Sequence, residues 1–160
     1  MDREISGSSQ PGSSRPPHTA QVRVRYGETD QGGVVYHANY IPYFEIGRTE
    51  LMRAELDMPY EALEREGGVL LLVVDMEAKF RRPAYYDDLL AIETRVAQVS
   101  GAKVRFAYRV LRTEKKELLC VGSTLLGAVS RETGRPCRLP ASLRERLENY
   151  QQRCEAAEAE

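Results

Sequence analysis

Three stretches between Leu90 and Ser130 read as strands, two of them by alternation of apolar and polar side chains, and the breaks between them are too short to hold a crossover. Leu90, Ile92, Thr94 and Val96 alternate on the first; Val104, Phe106, Tyr108 and Val110 on the second; the third runs from about Leu118 to Ser130. A period of two puts each apolar set on one face of a strand. The breaks at Ser100-Gly101 and Glu114-Lys115-Lys116-Glu117 suit hairpins, so neighbouring strands run antiparallel. A sheet of this kind has one greasy face, and something in the chain must cover it.

The cover lies upstream. Beyond Ala38 the residues Tyr40, Phe44, Leu51 and Ala54 fall at helical spacing, with Glu45, Arg48, Glu50 and Arg53 on other faces. This predicts one helix of about four turns, ending near Leu56-Asp57-Met58-Pro59. Pro42 belongs in a first turn, where its missing N–H costs nothing, and that places Asn39 as the N-cap. Gly47 lowers helix propensity by about 1 kcal/mol relative to Ala and predicts close approach of the helix to a curled sheet. Glu45 and Arg48, three apart, suit a structural ion pair.

Val22, Val24 and Tyr26 alternate with Arg23 and Arg25 as a first strand. Tyr60 to Glu66 reads as a short helical turn stopped by Gly67-Gly68. Val69 to Val74 is continuously apolar before alternation resumes towards Arg81, the pattern of a strand covered on both faces at one end. In a chain with one long helix, the second cover is another subunit. Pro140 to about Arg153 reads as a polar helix. The order is strand, long helix, four strands, final helix: an α+β domain over residues 20–153. Residues 1–19, rich in Ser, Gly, Pro and charge, read as a disordered tail, and 154–160 as a frayed acidic end. His18 falls in that tail and is given no role.

Between the first strand and the long helix stands Tyr26-Gly27-Glu28-Thr29-Asp30-Gln31-Gly32-Gly33-Val34-Val35-Tyr36-His37-Ala38-Asn39-Tyr40. Asp30 lies on a loop whose paired glycines, Gly32 and Gly33, let backbone approach a ligand closely. His37 stands where the helix should open, with unpaired N–H groups and a partial positive charge able to hold an oxyanion. A carboxylate facing a helix start is a usable acyl-transfer site. Val34, Val35, Tyr36 and the Val69–Val74 strand predict an apolar pocket beside it.

Tyr26, Thr29-Asp30, the run Gly32 to Tyr40, Glu45 and Arg48-Thr49-Glu50 together resemble the hotdog-fold acyl-CoA thioesterases of the 4-hydroxybenzoyl-CoA thioesterase type, within them the Tol-Pal-associated branch. The resemblance runs from about Val22 to about Leu147. It implies an antiparallel sheet of about five strands wrapped around one long helix, subunits paired side by side as a dimer or tetramer, and hydrolysis of a thioester to a carboxylic acid and free thiol. It assigns Asp30 as general base or nucleophile, the His37 region as oxyanion hole, and Tyr26 to the active site, with Glu45 as reserve carboxylate. Gly33, Val34 and Tyr36 are expected at the substrate, and Arg81, Arg82 and Lys103 at coenzyme A phosphates. The donor is acyl-CoA or an acyl carrier protein. A non-catalytic acyl-CoA-binding protein and a hydratase or dehydratase are the alternatives on this fold.

Composition narrows the field further. With 23 basic and 24 acidic residues the net charge is −1, no attraction for nucleic acid or an anionic membrane. No run approaches a membrane span or the apolar core of a signal peptide, so the expected location is the cytoplasm. Two histidines without metal spacing and three cysteines without C-x-x-C spacing predict no metal, no cofactor beyond the substrate's own coenzyme A, and free thiols. Phosphate-loop, dinucleotide and Gly-x-Ser-x-Gly signatures do not occur.

Overall fold

A computed structural model describes residues 16–160. Strand β1 spans His18–Arg23, helix α1 Tyr40–Glu55, α2 Tyr60–Gly67, β2 Val69–Phe80, β3 Leu89–Val99, β4 Lys103–Arg112, β5 Glu117–Ser130 and α3 Ala141–Ala159; single 3-10 turns at Tyr26–Glu28 and His37–Asn39 precede α1. The five strands form one sheet in the order β1-β3-β4-β5-β2, with every neighbouring pair antiparallel. Both hairpins read from the short breaks are present. Of the tail assigned to 1–19, residues 1–15 lie outside the described residues. His18 and Thr19 do not belong to it, because they pair with Thr94 and Glu93 as the start of β1.

The alternation of β4 is realised from Val104 to Val110: Val104, Phe106, Tyr108 and Val110 are at most 2% exposed, Tyr108 lies against α1, and only Leu111 at the strand's end breaks the period by being buried as well. Two glycines set how closely layers meet. A Cβ on Gly47 of α1 would lie 2.4 Å from Thr94 Oγ1 and 2.8 Å from Ile92 Cγ2. Gly122 of β5 lies under the Phe44 ring, which stacks on Tyr108 with centroids 4.5 Å apart. The cost of glycine in the helix is thus offset by contact with β3.

Three expectations for α1 are corrected. The Asn39 side chain does not cap the helix; its Nδ2 donates to Glu28 O at 2.7 Å. Arg48 makes no ion pair with Glu45. It is 8% exposed and turns inward beside the Tyr60 and Tyr108 hydroxyls, whereas Glu45 and Ala54 stay exposed. A guanidinium two turns along the helix from Tyr40 is drawn under by phenol oxygens that α2 and β4 supply, partners no local spacing reveals.

A bulge between Val73 and Asp75 marks where the continuous apolar run of β2 passes into alternation. Leu72, Val73, Val74, Met76 and Phe80 remain exposed on this edge strand. The final helix extends through the segment read as frayed. Its Leu143, Leu147, Tyr150 and Cys154 form a buried stripe at i, i+4, i+7 and i+11, and Glu158 pairs with Arg95 of β3. All three cysteines are free.

His18 sits under this helix. Its backbone N–H donates to the Tyr150 hydroxyl at 2.7 Å, and its Nδ1 is buried without a partner. Burial lowers its pKa below the ordinary 6.5, more than the nearby Glu55 and Glu50 of α1 raise it. The folded protein therefore binds this proton less readily than the unfolded chain does. Its contribution to stability is complete above pH 6.5 and declines as pH falls below that value. Thermal melts from pH 7.5 to 5.5 are expected to show a smaller drop in midpoint for His18→Gln than for the parent; equal slopes would exclude His18 as the source.

Candidate active site

β1 ends at Arg23, and the chain then turns through Val24, whose N–H donates to Asp88 O at 2.9 Å and whose carbonyl accepts from Asp87 N–H at 3.0 Å. After the first 3-10 turn, a small hairpin carries the acidic residue. Thr29 bridges Val35, Asp30 N–H donates to Val34 O at 2.9 Å, and Gly33 N–H donates to Asp30 O at 3.0 Å. Gly33 has φ +80°, which only glycine adopts without strain, so its role here is to close the turn.

The hairpin is pinned from both sides. Val35 N–H donates to Ala84 O at 2.8 Å, and Val34 bridges Tyr85, which joins it to the loop between β2 and β3. Arg112 holds that loop in turn: it bonds Asp88 at 3.0 Å and Pro83 O at 2.8 Å, pairs with Glu117, and lies over the Tyr85 ring. Opposed loops fixed this way leave a cleft of about 360 Å³, lined by Asp30, Val34, Val35, His37, Tyr40 and the run Phe80-Arg81-Arg82-Pro83.

The structure thus brings together Asp30, His37, Val34, Arg81 and Arg82, which sequence reasoning named separately. The N–H of Asn39 donates to Tyr36 O at 2.9 Å, while no backbone hydrogen bond among those found at the turns and caps of the described residues uses the N–H of His37 or Ala38. Arg82 pairs with Glu117 at 3.2 Å, and Arg81 has no carboxylate partner among the described residues. The cleft therefore combines the Asp30 carboxylate, His37 at the helix entrance and the guanidinium groups of Arg81 and Arg82. Such a set can polarise a carbonyl, deliver or activate a nucleophile, and hold an anionic group.

Other expected site residues lie elsewhere. Tyr26 is 78% exposed on the 3-10 turn, packed edge-on against Tyr86 with centroids 5.8 Å apart, neither inward on β1 nor in the cleft. Tyr36 is exposed and packs on His37 from outside the cleft lining, at 4.4 Å between ring centroids. Lys103 starts β4, opposite Gly127, whereas the cleft sits at the end of the sheet where Phe80 opposes Cys120 and Cys120 opposes Val110. Seven residues of strand, roughly 23 Å, separate the two positions. Glu45 does not line the cleft either. Residues missed from sequence are Tyr40 and Phe80, whose rings meet at 5.1 Å to form the apolar wall, and Arg112. Burial pushes the Tyr40 phenol up to about 12, so it is a neutral surface at physiological pH.

The chain belongs to the thioesterase-like superfamily, whose sequence profile matches residues 24–147. The five-stranded antiparallel sheet packed on α1 is the hotdog fold expected from the loop signature. Among its relatives, the acyl-CoA thioester hydrolase YbgC of Escherichia coli O6:H1 is 36% identical over 122 residues, which span 76% of this chain and 89% of that protein. The acyl-CoA thioesterase YbgC of Haemophilus influenzae is 42% identical over 91 residues, 57% of this chain and 66% of its own length, just under two thirds. A hypothetical protein of Thermus thermophilus superposes with a TM-score of 0.77 at 32% identity, covering 82% of this chain and 98% of that one.

Proposed function

We propose that the protein is an acyl-CoA thioesterase that hydrolyses a thioester to a carboxylic acid and a free thiol. The observation that carries this reading is the placement of Asp30 and His37 on one cleft, at a helix entrance whose amides have no backbone acceptor. The thioester carbonyl lodges with its oxygen at the His37 and Ala38 N–H groups, a contribution of about 3 kcal/mol if they act as other oxyanion donors do. Asp30 then either attacks the carbonyl carbon and expels the thiolate, leaving a mixed anhydride that water opens, or takes a proton from the attacking water. In both routes the water oxygen ends in one of the carboxylates, and the thiolate leaves with a proton.

Arg81 and Arg82 are the cations for the phosphates of the thiol carrier, coenzyme A or the phosphopantetheine of an acyl carrier protein. The acyl group lies along Tyr40, Phe80 and Val34. The open edge of β2, with exposed Leu72 and Val74, supports self-association by edge pairing. Antiparallel pairing of two such edges sets the Val69 end of one copy against the Phe80 end of the other, so a dimer closes the cleft from outside. A tetramer of two such dimers remains within this reading. No helix of the described residues is long and apolar enough to cross a membrane, and we assign the enzyme to the cytoplasm.

The test is thiol release from a panel of short-chain, long-chain and aromatic acyl-CoA substrates, with the oligomeric mass recorded in the same buffer. Turnover of at least one class is the expected result. Tight binding without thiol release identifies a non-catalytic acyl-CoA binder, and hydration of enoyl-CoA identifies a hydratase; either replaces this assignment.

A further inference from the structure

Glu28 is the point through which both halves of the Asp30–His37 stretch are tied. Its side chain is 13% exposed, and one oxygen, Oε1, accepts from the Arg25 N–H at 2.7 Å and from the Tyr43 hydroxyl at 3.1 Å. Its backbone carbonyl accepts from Tyr36 N–H at 2.9 Å and from Asn39 Nδ2 at 2.7 Å. Its own N–H closes the 3-10 turn on Arg25 O at 3.0 Å. The donor Tyr36 lies immediately before His37, and the donor Asn39 immediately before α1. Asp30 follows Glu28 by two residues.

These contacts are unequal in kind. The Arg25 guanidinium approaches Glu28 Oε2 at 3.4 Å but is 82% exposed, so the ion pair contributes little. The Tyr43 phenol is different: the residue is 1% exposed, and burial together with Glu28 drives its pKa well above the ordinary 10, so it remains a fixed hydroxyl donor. Tyr43 sits in the first turn of α1 on its buried face, edge-on to Tyr40. Oε1 therefore references the 3-10 turn to the rigid helix, and the direction of the Glu28 carbonyl follows. That carbonyl in turn sets where Tyr36 and Asn39, and the amides between them, are held.

Resting on the thioesterase reading above, we propose that Glu28 is a positioning residue: it sets the separation of the Asp30 carboxylate from the His37 and Ala38 amides without touching substrate. It does not line the cleft. Its chemistry requires one well-placed acceptor oxygen at Oε1, and the negative charge is dispensable. A glutamine in the same rotamer supplies that oxygen, and an alanine does not.

The experiment compares Glu28→Ala, Glu28→Gln, Tyr43→Phe and the Glu28→Ala/Tyr43→Phe double variant by steady-state thiol release and by amide hydrogen exchange over residues 29–39. Misplacement of reacting groups by about 1 Å costs on the order of a hundredfold, so Glu28→Ala is expected to lose at least about thirtyfold in kcat with KM within about threefold. Glu28→Gln keeps kcat within about threefold of the parent. Tyr43→Phe loses part of the activity, and adding it to Glu28→Ala costs nothing more, because both changes remove the same contact. Exchange over 29–39 rises in Glu28→Ala and Tyr43→Phe but not in Glu28→Gln. Equal losses in the Gln and Ala variants, or a parental kcat in Glu28→Ala, overturn the proposal. Should Glu28→Ala fail to fold, Tyr43→Phe and Glu28→Gln still decide it. A parent that releases no thiol refutes the thioesterase reading instead, and the exchange pattern then judges Glu28 by itself.

Discussion

Asp30→Asn lowers turnover of an acyl-CoA thioester by at least about a hundredfold, the range for loss of a general base or nucleophile, while leaving the fold intact. The substitution is isosteric, and none of the hydrogen bonds that shape the hairpin uses the carboxylate: they run from Asp30 N–H to Val34 O and from Gly33 N–H to Asp30 O. The amide of Asn can neither attack the carbonyl nor accept the proton of water at neutral pH. The measurement is kcat from thiol release, with the melting temperature as control. A purified Asp30→Asn protein that turns over at the parental rate removes Asp30 from the mechanism and makes Glu45 the next carboxylate to test. His37→Ala is expected to cost less, since its backbone N–H survives. A larger loss than in Asp30→Asn would transfer the principal role to the imidazole.

Gly122→Ala destabilises the fold by about 3 kcal/mol, the upper part of the range for overpacking a core. For a chain of this size that is a fall in melting midpoint of roughly 6–12 °C. A Cβ there would lie 2.5 Å from Phe44 Cζ and 2.7 Å from Glu77 O. Neither neighbour can yield: Phe44 is 0% exposed and stacked on Tyr108, and Glu77 O belongs to a strand whose register on β5 is fixed from Asp75 to Phe80. Gly47→Ala makes the useful comparison. Its clashes, at 2.4 Å with Thr94 Oγ1 and 2.8 Å with Ile92 Cγ2, are with side chains only and not with backbone, and alanine regains about 1 kcal/mol of helix propensity. Gly47→Ala should therefore cost less than Gly122→Ala. Equal melting temperatures for parent and Gly122→Ala would mean that α1 does not approach β5 as described.

The antiparallel sheet and the helix upon it were legible because their signals are local. Period-two burial in β4 and short polar breaks specify strands and hairpins wherever the remainder of the chain goes. The Asp30 loop was equally legible, since its turn depends on Gly33 at positive φ and its place before a helix depends on Pro42. His18 was misread for the opposite reason. Its neighbours in sequence resemble a tail, and only pairing with Thr94 and contact with Tyr150 put it in the sheet.

The sequence by itself determined the class of fold, the hairpin order from β3 to β5, and the residues that carry the proposed chemistry, Asp30 and His37. Each of these rests on side chains a few positions apart, where backbone geometry translates spacing into direction. Tertiary structure decided which distant groups share the cleft. Arg81 and Arg82 share the cleft with Asp30 because the loop between β2 and β3 pairs with the hairpin through Ala84 and Tyr85, and Lys103 does not, because it begins its strand at the far end. Tertiary structure also turned Arg48 inward and Tyr26 outward. Contacts between residues far apart in the chain depend on register and closure of the whole sheet, which no local period encodes.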